Sequence, residues 1–198
     1  MDGLKRRLVP IPEDIVEGLR DVARRIGISH YDLLAQLLYI YLGSSRLTDD
    51  LPGVALEAAL VSYLKKYGVI LVPVRVLNSV LKNEGREVDE VAGAVSVVAR
   101  ISTMALVEQG AIRDYSVVRS LFSSWLPGLP LTVSSDGDLW HVVVASPDIG
   151  GGVARIVAGI VRGVVEGLKG EVVWERIGDG VVSVKFKLPK GFVEAARE

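Results

Sequence analysis

Residues 153–188 constrain the chain most, because a helical pattern runs into a hairpin pattern with almost nothing between them. In VARIVAGIVRGVVEGLKG, Ile156, Ile160, Val164 and Leu168 share one stripe, while Arg155, Arg162, Glu166 and Lys169 gather on a narrow polar edge. A helix with so little polar surface is buried on most of its girth. Gly159, Gly163 and Gly167 recur every fourth residue and so line one face. Each costs about 1 kcal/mol against alanine in a helix interior, so something must approach that face closely. Packing of helix on sheet is the expected reason, ahead of a groove for a ligand or a partner helix. In the following EVVWERIGDGVVSVKFKL, Val182, Val184, Phe186 and Leu188 alternate with Ser183, Lys185 and Lys187, and Gly178-Asp179-Gly180 supplies the turn. One face of this hairpin belongs to a core and the other to solvent.

The run GIVRGVVEGLKGEVVWERIGDGVVSVKFKL resembles the C-terminal part of the transport protein particle (TRAPP) subunits and of the related vinyl-reductase-type ligand-sensing domains. In those families a G-hydrophobic-hydrophobic-R-G helix leads into a strand, a G-D-G-like turn and a last strand. The resemblance continues upstream through PLTVSSDGDLWHVVV, the helix ending at Leu126 and the helix around residues 95–107, and covers residues 54–189. It implies a helical domain with an antiparallel sheet of about four strands and an apolar ligand pocket. Trp125, Trp140 and Trp174 are the aromatic side chains that such a pocket would recruit, with core packing the alternative for each. The transport subunits carry an acylated cysteine just before a helix, where this chain has Ile112, so an attached acyl chain is excluded. The sensor domains often hold zinc through cysteines, and this chain has none.

Composition narrows the function classes. The 198 residues suffice for one large domain or for one medium and one small. A formal net charge of −1 gives no general bias toward nucleic acid, and zero cysteines remove disulfides, thiol catalysis and thiolate metal sites together. The start, MDGLKRRLVPIPEDI, lacks an apolar run of signal-peptide length, and Arg100, Arg155 and Arg162 interrupt the apolar helices too soon for a membrane span of about 20 residues. The expectation is a soluble cytoplasmic protein. Only Asn78, Asn83, Gln36 and Gln109 represent the side-chain amides, a thermophile-like composition.

At the N-terminus, KRRLVPIPEDIVEGLRDVARRIGISHYDLLAQLLYIYL reads as short strand, helix, tight turn, helix. Pro12 opens the first helix with Glu13 and Asp14 in its positive first turn, and Gly27 stops it. Ser29 caps the second, with Asp32 in place of the usual capping-box Glu. Gly43-Ser44-Ser45 ends it. With Ile11-Pro12, Ile15, Leu19, Val22, Gly27, Ser29 and Leu33 in step, residues 5–42 resemble the ribbon-helix-helix DNA-binding fold. That resemblance implies a homodimer whose paired strands enter the major groove of duplex DNA, and a second helix whose start meets phosphate. The residues placed at DNA are Lys5, Arg6, Arg7, Ser29 and His30. Leu8 and Pro10, outward on the strand, offer base edges no side-chain hydrogen bond, and Arg7 stands where the family has an apolar residue, so dimerisation is the firmer implication.

The polar LTDDLPG stretch, residues 47–53, is the expected boundary, giving a module over residues 1–46 and a sensor or interaction domain over residues 47–198. Helices are expected over residues 54–67, 89–107 and 115–126, the last capped by Asp114, and LPLTV and LWHVVVA flank residues 134–138 as a first hairpin. Leu71-Val72-Pro73-Val74 echoes Leu8-Val9-Pro10-Ile11 ahead of a helix–Gly85–helix pattern, which raises a second, degenerate ribbon-helix-helix copy over residues 69–105; chance is the better reading of four residues.

Catalytic chemistry finds few candidates. His141, beside Trp140 in a strand, reads as structural polarity rather than a base or metal ligand, and the serines at 123, 124, 134 and 135 have no placed base. Gly150-Gly151-Gly152 lacks the lysine and hydroxyl of a phosphate loop and reads as a flexible connector. The expectation is therefore an α+β chain, no enzyme, without metal or cofactor: a homodimeric, ligand-responsive transcriptional regulator whose partners are itself, duplex DNA and a small apolar ligand. The alternative is a scaffold protein of the same folds that never touches DNA.

Overall fold

A glycine and a serine set the geometry of the first helices. The structure, a computed structural model, describes residues 10–44, 51–65, 72, 74–81, 85–112 and 117–189, and divides into two compact units, Met1–Leu51 and Pro52–Glu198. In the first unit, α1 (Glu13–Ile26) follows Pro12 at its N-cap, with Glu13 and Asp14 in its first turn and Arg24 and Arg25 in its last, each set matching the helix dipole. Gly27, at φ 76°, turns the chain out of the helix, and the Ile28 N–H donates to the Ala23 carbonyl at 3.1 Å. At the head of α2 (His30–Ser44), the Asp32 N–H donates to Ser29 Oγ at 3.1 Å, and that hydroxyl donates to Asp32 Oδ2 at 2.8 Å.

Only Ala23 and Leu33 are buried among the described residues of this unit. The six residues 37–42 of α2, all apolar, are 48 % to 76 % exposed. The expected strand falls on residues that mostly lie outside the described ones; Pro10 and Ile11 are described and belong to no strand.

The second unit contains α3 (Leu51–Lys65, whose first residue is the last of the other unit), α4 (Val74–Val80), α5 (Arg86–Glu108), α6 (Val118–Trp125), β1 (Leu131–Asp136), β2 (Leu139–Ala145), α7 (Gly151–Gly167), β3 (Glu171–Gly178) and β4 (Val181–Lys187). Both expected hairpins form, and they join into one four-stranded antiparallel sheet of order β1-β2-β4-β3. The register sets Val142 opposite Val184, and Val144 opposite Val182, all fully buried. These residues, with Phe186, meet Val161, Val164 and Val165 of α7 and Phe122 of α6 in the core. The fold is thus α+β. Val74–Val80, which follows the echo of the N-terminal strand, is helical; Leu71 and Pro73 of that echo lie outside the described residues.

The glycine face of α7 corrects one expectation, since it meets a helix and not the sheet. A Cβ on Gly159 would fall 2.5 Å from the Ala92 carbonyl oxygen, and one on Gly167 would fall 2.6 Å from Thr103 Cβ, both on α5. Numbers rise together along the seam, so α5 and α7 run parallel, with Ala92, Ser96, Ala99 and Thr103 presenting small residues to the glycines. The backbones approach so closely because neither face carries bulk. Among the described residues α5 is the one helix long and apolar enough to cross a membrane by length and composition. It buries Val88, Ala92, Ala99 and Leu106 and leaves Val91, Val97, Ile101 and Met104 exposed.

The Gly150–Gly152 run is corrected as well: it is an anchored helix start and not a loose connector. Gly150 is the N-cap of α7, and its N–H donates to Asn78 Oδ1 on α4 at 3.2 Å. Asn78 Nδ2 donates in turn to the Asp148 carbonyl. A Cβ on Gly152 would press on the Leu81 carbonyl oxygen at 3.0 Å, so the glycines let the end of α4 close on the head of α7.

Candidate functional site

The stripe that predicts the burial of α7 is covered unevenly. Val164 and Leu168 are fully enclosed, whereas Ile156 and Ile160, nearer the helix start, face a pocket of about 250 Å³. Its walls come from Leu60 and Leu64 of α3, Val91 and Val95 of α5, Leu77 of α4, and Ser124 and Trp125 at the end of α6. Among the described residues no ionisable side chain lines it. Ser124 is a polar contributor, and its hydroxyl donates to the Ser120 carbonyl at 2.8 Å within its own helix. Such a pocket binds by burial and dispersion and rejects charge, because a charged group entering it would lose water with nothing to replace it. It is smaller than the 300–1,000 Å³ of typical drug-sized sites.

The three tryptophans separate. Trp125 lines this pocket, but its Nε1 is hidden and has no hydrogen-bond acceptor, so it faces neither the open space nor a partner. Trp140 packs into the core instead, its ring stacked at 6.4 Å and 18° on Phe186, which meets Phe122 at 5.7 Å. Trp174 stands on the opposite face of the sheet, 45 % exposed. The aliphatic walls were not singled out from the sequence, although Val91 and Val95 lie one turn apart on α5, and Leu60 and Leu64 likewise on α3, as a shared lining requires.

A second cleft, of about 430 Å³, lies between α5, α7 and β3 and is lined by Asp89, Gly93, Arg155, Arg162 and Ile177. Each arginine meets an acid there. Arg155 Nη1 donates to Asp89 Oδ1 at 3.1 Å, and Arg162 Nε lies 3.2 Å from Glu175 Oε2, in contact but too bent for a hydrogen bond. These pairs tie α7 to α5 and to β3. Being partly exposed, each contributes at most about 1 kcal/mol.

Of the residues expected at DNA, Lys5, Arg6 and Arg7 lie outside the described ones. Ser29 and His30 stand at the start of α2, where the Asp32 carboxylate already occupies the Ser29 hydroxyl and the His30 ring lies 4.1 Å from that of Tyr31. His141 Nε2 pairs with Ser183 Oγ at 2.7 Å, and among the described residues no acid hydrogen-bonds the imidazole to complete a relay. No group of three or more His, Asp or Glu side chains among the described residues could hold a metal ion. No family model, no curated protein and no solved structure matches the chain.

Proposed function

We propose that the chain is a cytoplasmic, ligand-responsive regulator of transcription. In this reading the α1–α2 unit pairs two copies and brings Lys5, Arg6 and Arg7, with the Ser29–His30 helix start, to duplex DNA, while the second unit takes a small neutral apolar ligand. The observation that carries it is α2, whose six consecutive apolar residues 37–42 face every side of the helix and stand exposed. A helix of that composition is built to be buried, and a second copy of the same surface is self-complementary cover. The likeness of residues 5–42 to ribbon-helix-helix modules, and of residues 54–189 to TRAPP-like sensors, points the same way, and the uncharged pocket suits the sensing half.

DNA affinity then comes from phosphate contacts, so it should be steep in salt and weakly selective. The test is a titration of duplex DNA at two salt concentrations with wild type and an Arg6→Ala/Arg7→Ala double variant. Binding by wild type that the variant loses, with its dimer intact, supports the regulator. No binding by wild type even at low salt sinks it. One observation favours a scaffold instead: the Asp32 carboxylate sits where a phosphate would approach the start of α2. A scaffold would assemble through the same α2 surface and bind no duplex.

A further inference from the structure

The sheet has a second face, turned away from α7. Because Val182, Val184 and Phe186 enter the core, Val181, Ser183, Lys185 and Lys187 alternate to the other face, where Lys187 is exposed, Val181 and Lys185 are half-buried and Ser183 is buried. The register carries this face across all four strands: Trp174, Lys185, His141 and Ser134 form one row, and Arg176, Ser183, Val143 and Thr132 the next.

Trp174 reaches that face only through an irregularity. Val172 pairs with inward Phe186, so an unbroken ladder would set Val173 opposite Lys185 and turn Trp174 inward toward Val184. A bulge between Val172 and Trp174 adds one residue, and Trp174 pairs with Lys185 on the outer face instead. The same shift turns Glu175 inward to meet Arg162. The indole so presented is 45 % exposed, with the Lys185 ammonium 5.5 Å from its ring centre. Next to it His141 is fixed by Ser183, and Arg176 stands in the adjoining row. The outward acids, Glu171 and Asp136, both fall in the row of Lys187, so the rows of Trp174 and Ser183 carry cations without an acid.

We infer that this outer face binds single-stranded nucleic acid, one base stacking on Trp174 while Lys185 and Arg176 meet the flanking phosphates. A sheet face with an exposed aromatic ring and neighbouring cations suits unstacked bases, whose faces a duplex hides. Lys185 serves both states, lying over the indole when the face is empty and swinging on its flexible stem to phosphate when it is filled.

The test uses the full chain and a twelve-residue oligothymidylate, followed by tryptophan fluorescence at low and moderate salt. Wild type should bind with quenching. Trp174→Ala should weaken binding about 10-fold or more, and Trp174→Phe, which keeps a stackable ring, should retain most of the affinity. Lys185→Ala with Arg176→Ala should lower the salt slope by about 1.4, at about 0.7 for each phosphate contact on a single strand. The Arg6→Ala/Arg7→Ala variant should bind the oligonucleotide as wild type does, which separates this surface from the duplex reading. Absence of binding at low salt would overturn the inference. So would equal binding by the Ala and Phe variants, or a polyglutamate peptide binding as tightly as the oligonucleotide.

Discussion

Gly163→Ala should destabilise the second unit although alanine is the better helix former. Propensity alone favours the substitution by about 0.8–1.0 kcal/mol. Against it, the new Cβ would press hardest on the Ser96 carbonyl oxygen, and it would lie 2.9 Å from Ala99 Cβ and from the Ser96 carbonyl carbon, closer than the roughly 3.5–4.0 Å at which carbon atoms rest. One of those atoms is backbone, so no rotamer change relieves the clash. Gly159 and Gly167 meet α5 just as tightly, so tilting the helix to open one contact closes another. The pair must separate by about 0.5–1 Å, which forfeits a quarter to a half of each dispersion contact along the seam. Overpacking costs about 1–3 kcal/mol, and a clash with backbone falls at the upper end, about 2–3 kcal/mol, leaving a net loss of about 1–2 kcal/mol.

Gly93→Ala, on the same α5, is the internal control. Its Cβ meets nothing within 4 Å, so the propensity gain stands unopposed at about 0.8 kcal/mol. Thermal unfolding followed by circular dichroism, read on the transition of the second unit, should fall by about 2–8 °C for Gly163→Ala and rise by about 2–3 °C for Gly93→Ala. A Gly163→Ala protein as stable as wild type would refute the close parallel seam, as would a Gly93→Ala protein that loses as much.

Further outcomes follow from the other contacts. Asn78→Ala removes both hydrogen bonds to the Asp148–Gly150 connection and should lower stability by about 1–3 kcal/mol in urea unfolding; an unchanged midpoint would mean that the clamp does not form. Leu38→Glu with Tyr41→Glu, both on the exposed girth of α2, should turn a dimer into a monomer by light scattering, whereas a wild type that is already monomeric would remove the premise. Ile160→Trp should fill the apolar pocket and abolish uptake of a neutral naphthylamine dye with a folded circular-dichroism spectrum; dye uptake equal to wild type would place the binding elsewhere.

Where pattern and packing agree, the sequence is a sufficient guide. The alternation of Val182, Val184 and Phe186, the turn expected at residues 178–180 and the stop at Gly27 all rest on local geometry that the final packing leaves alone, while the connection expected over residues 134–138 shortens to 137–138 because β1 runs on through Asp136. The partner of the glycine face is a different kind of fact. Ala92, Ser96, Ala99 and Thr103 stand at spacings of four, three and four, which is a small-residue seam matching Gly159, Gly163 and Gly167, yet the match is visible only when two distant helices are compared. The β-branched stretch at Val74–Val80 folds as a helix because Val74 and Leu77 pack on the core, and packing outweighs propensities of a few tenths of a kcal/mol. Trp174 misleads for another reason. Counting by twos from Val172 sends it inward, and a bulge of one residue reverses every side chain beyond it. That reversal takes Trp174 to the face of the sheet opposite the one on which Trp140 packs against the core.

The start of α2 shows how a correctly read motif can still leave its function open. Ser29 and Asp32 satisfy one another as a capping box would, which fixes the helix start and the turn at Gly27. Ribbon-helix-helix modules present this same place to phosphate, where the positive end of the helix dipole is the attraction. Here a carboxylate already answers that dipole, and a second anion would have to approach it at close range. Under the regulator reading, phosphate binding therefore rests on Lys5, Arg6 and Arg7 more than on the helix start, and it must be strong enough in a dimer to act without that anchor. Under the scaffold reading the same carboxylate is simply the cap that holds α2 in place for assembly. The charge of one side chain separates the two readings more sharply than the fold of the unit that carries it.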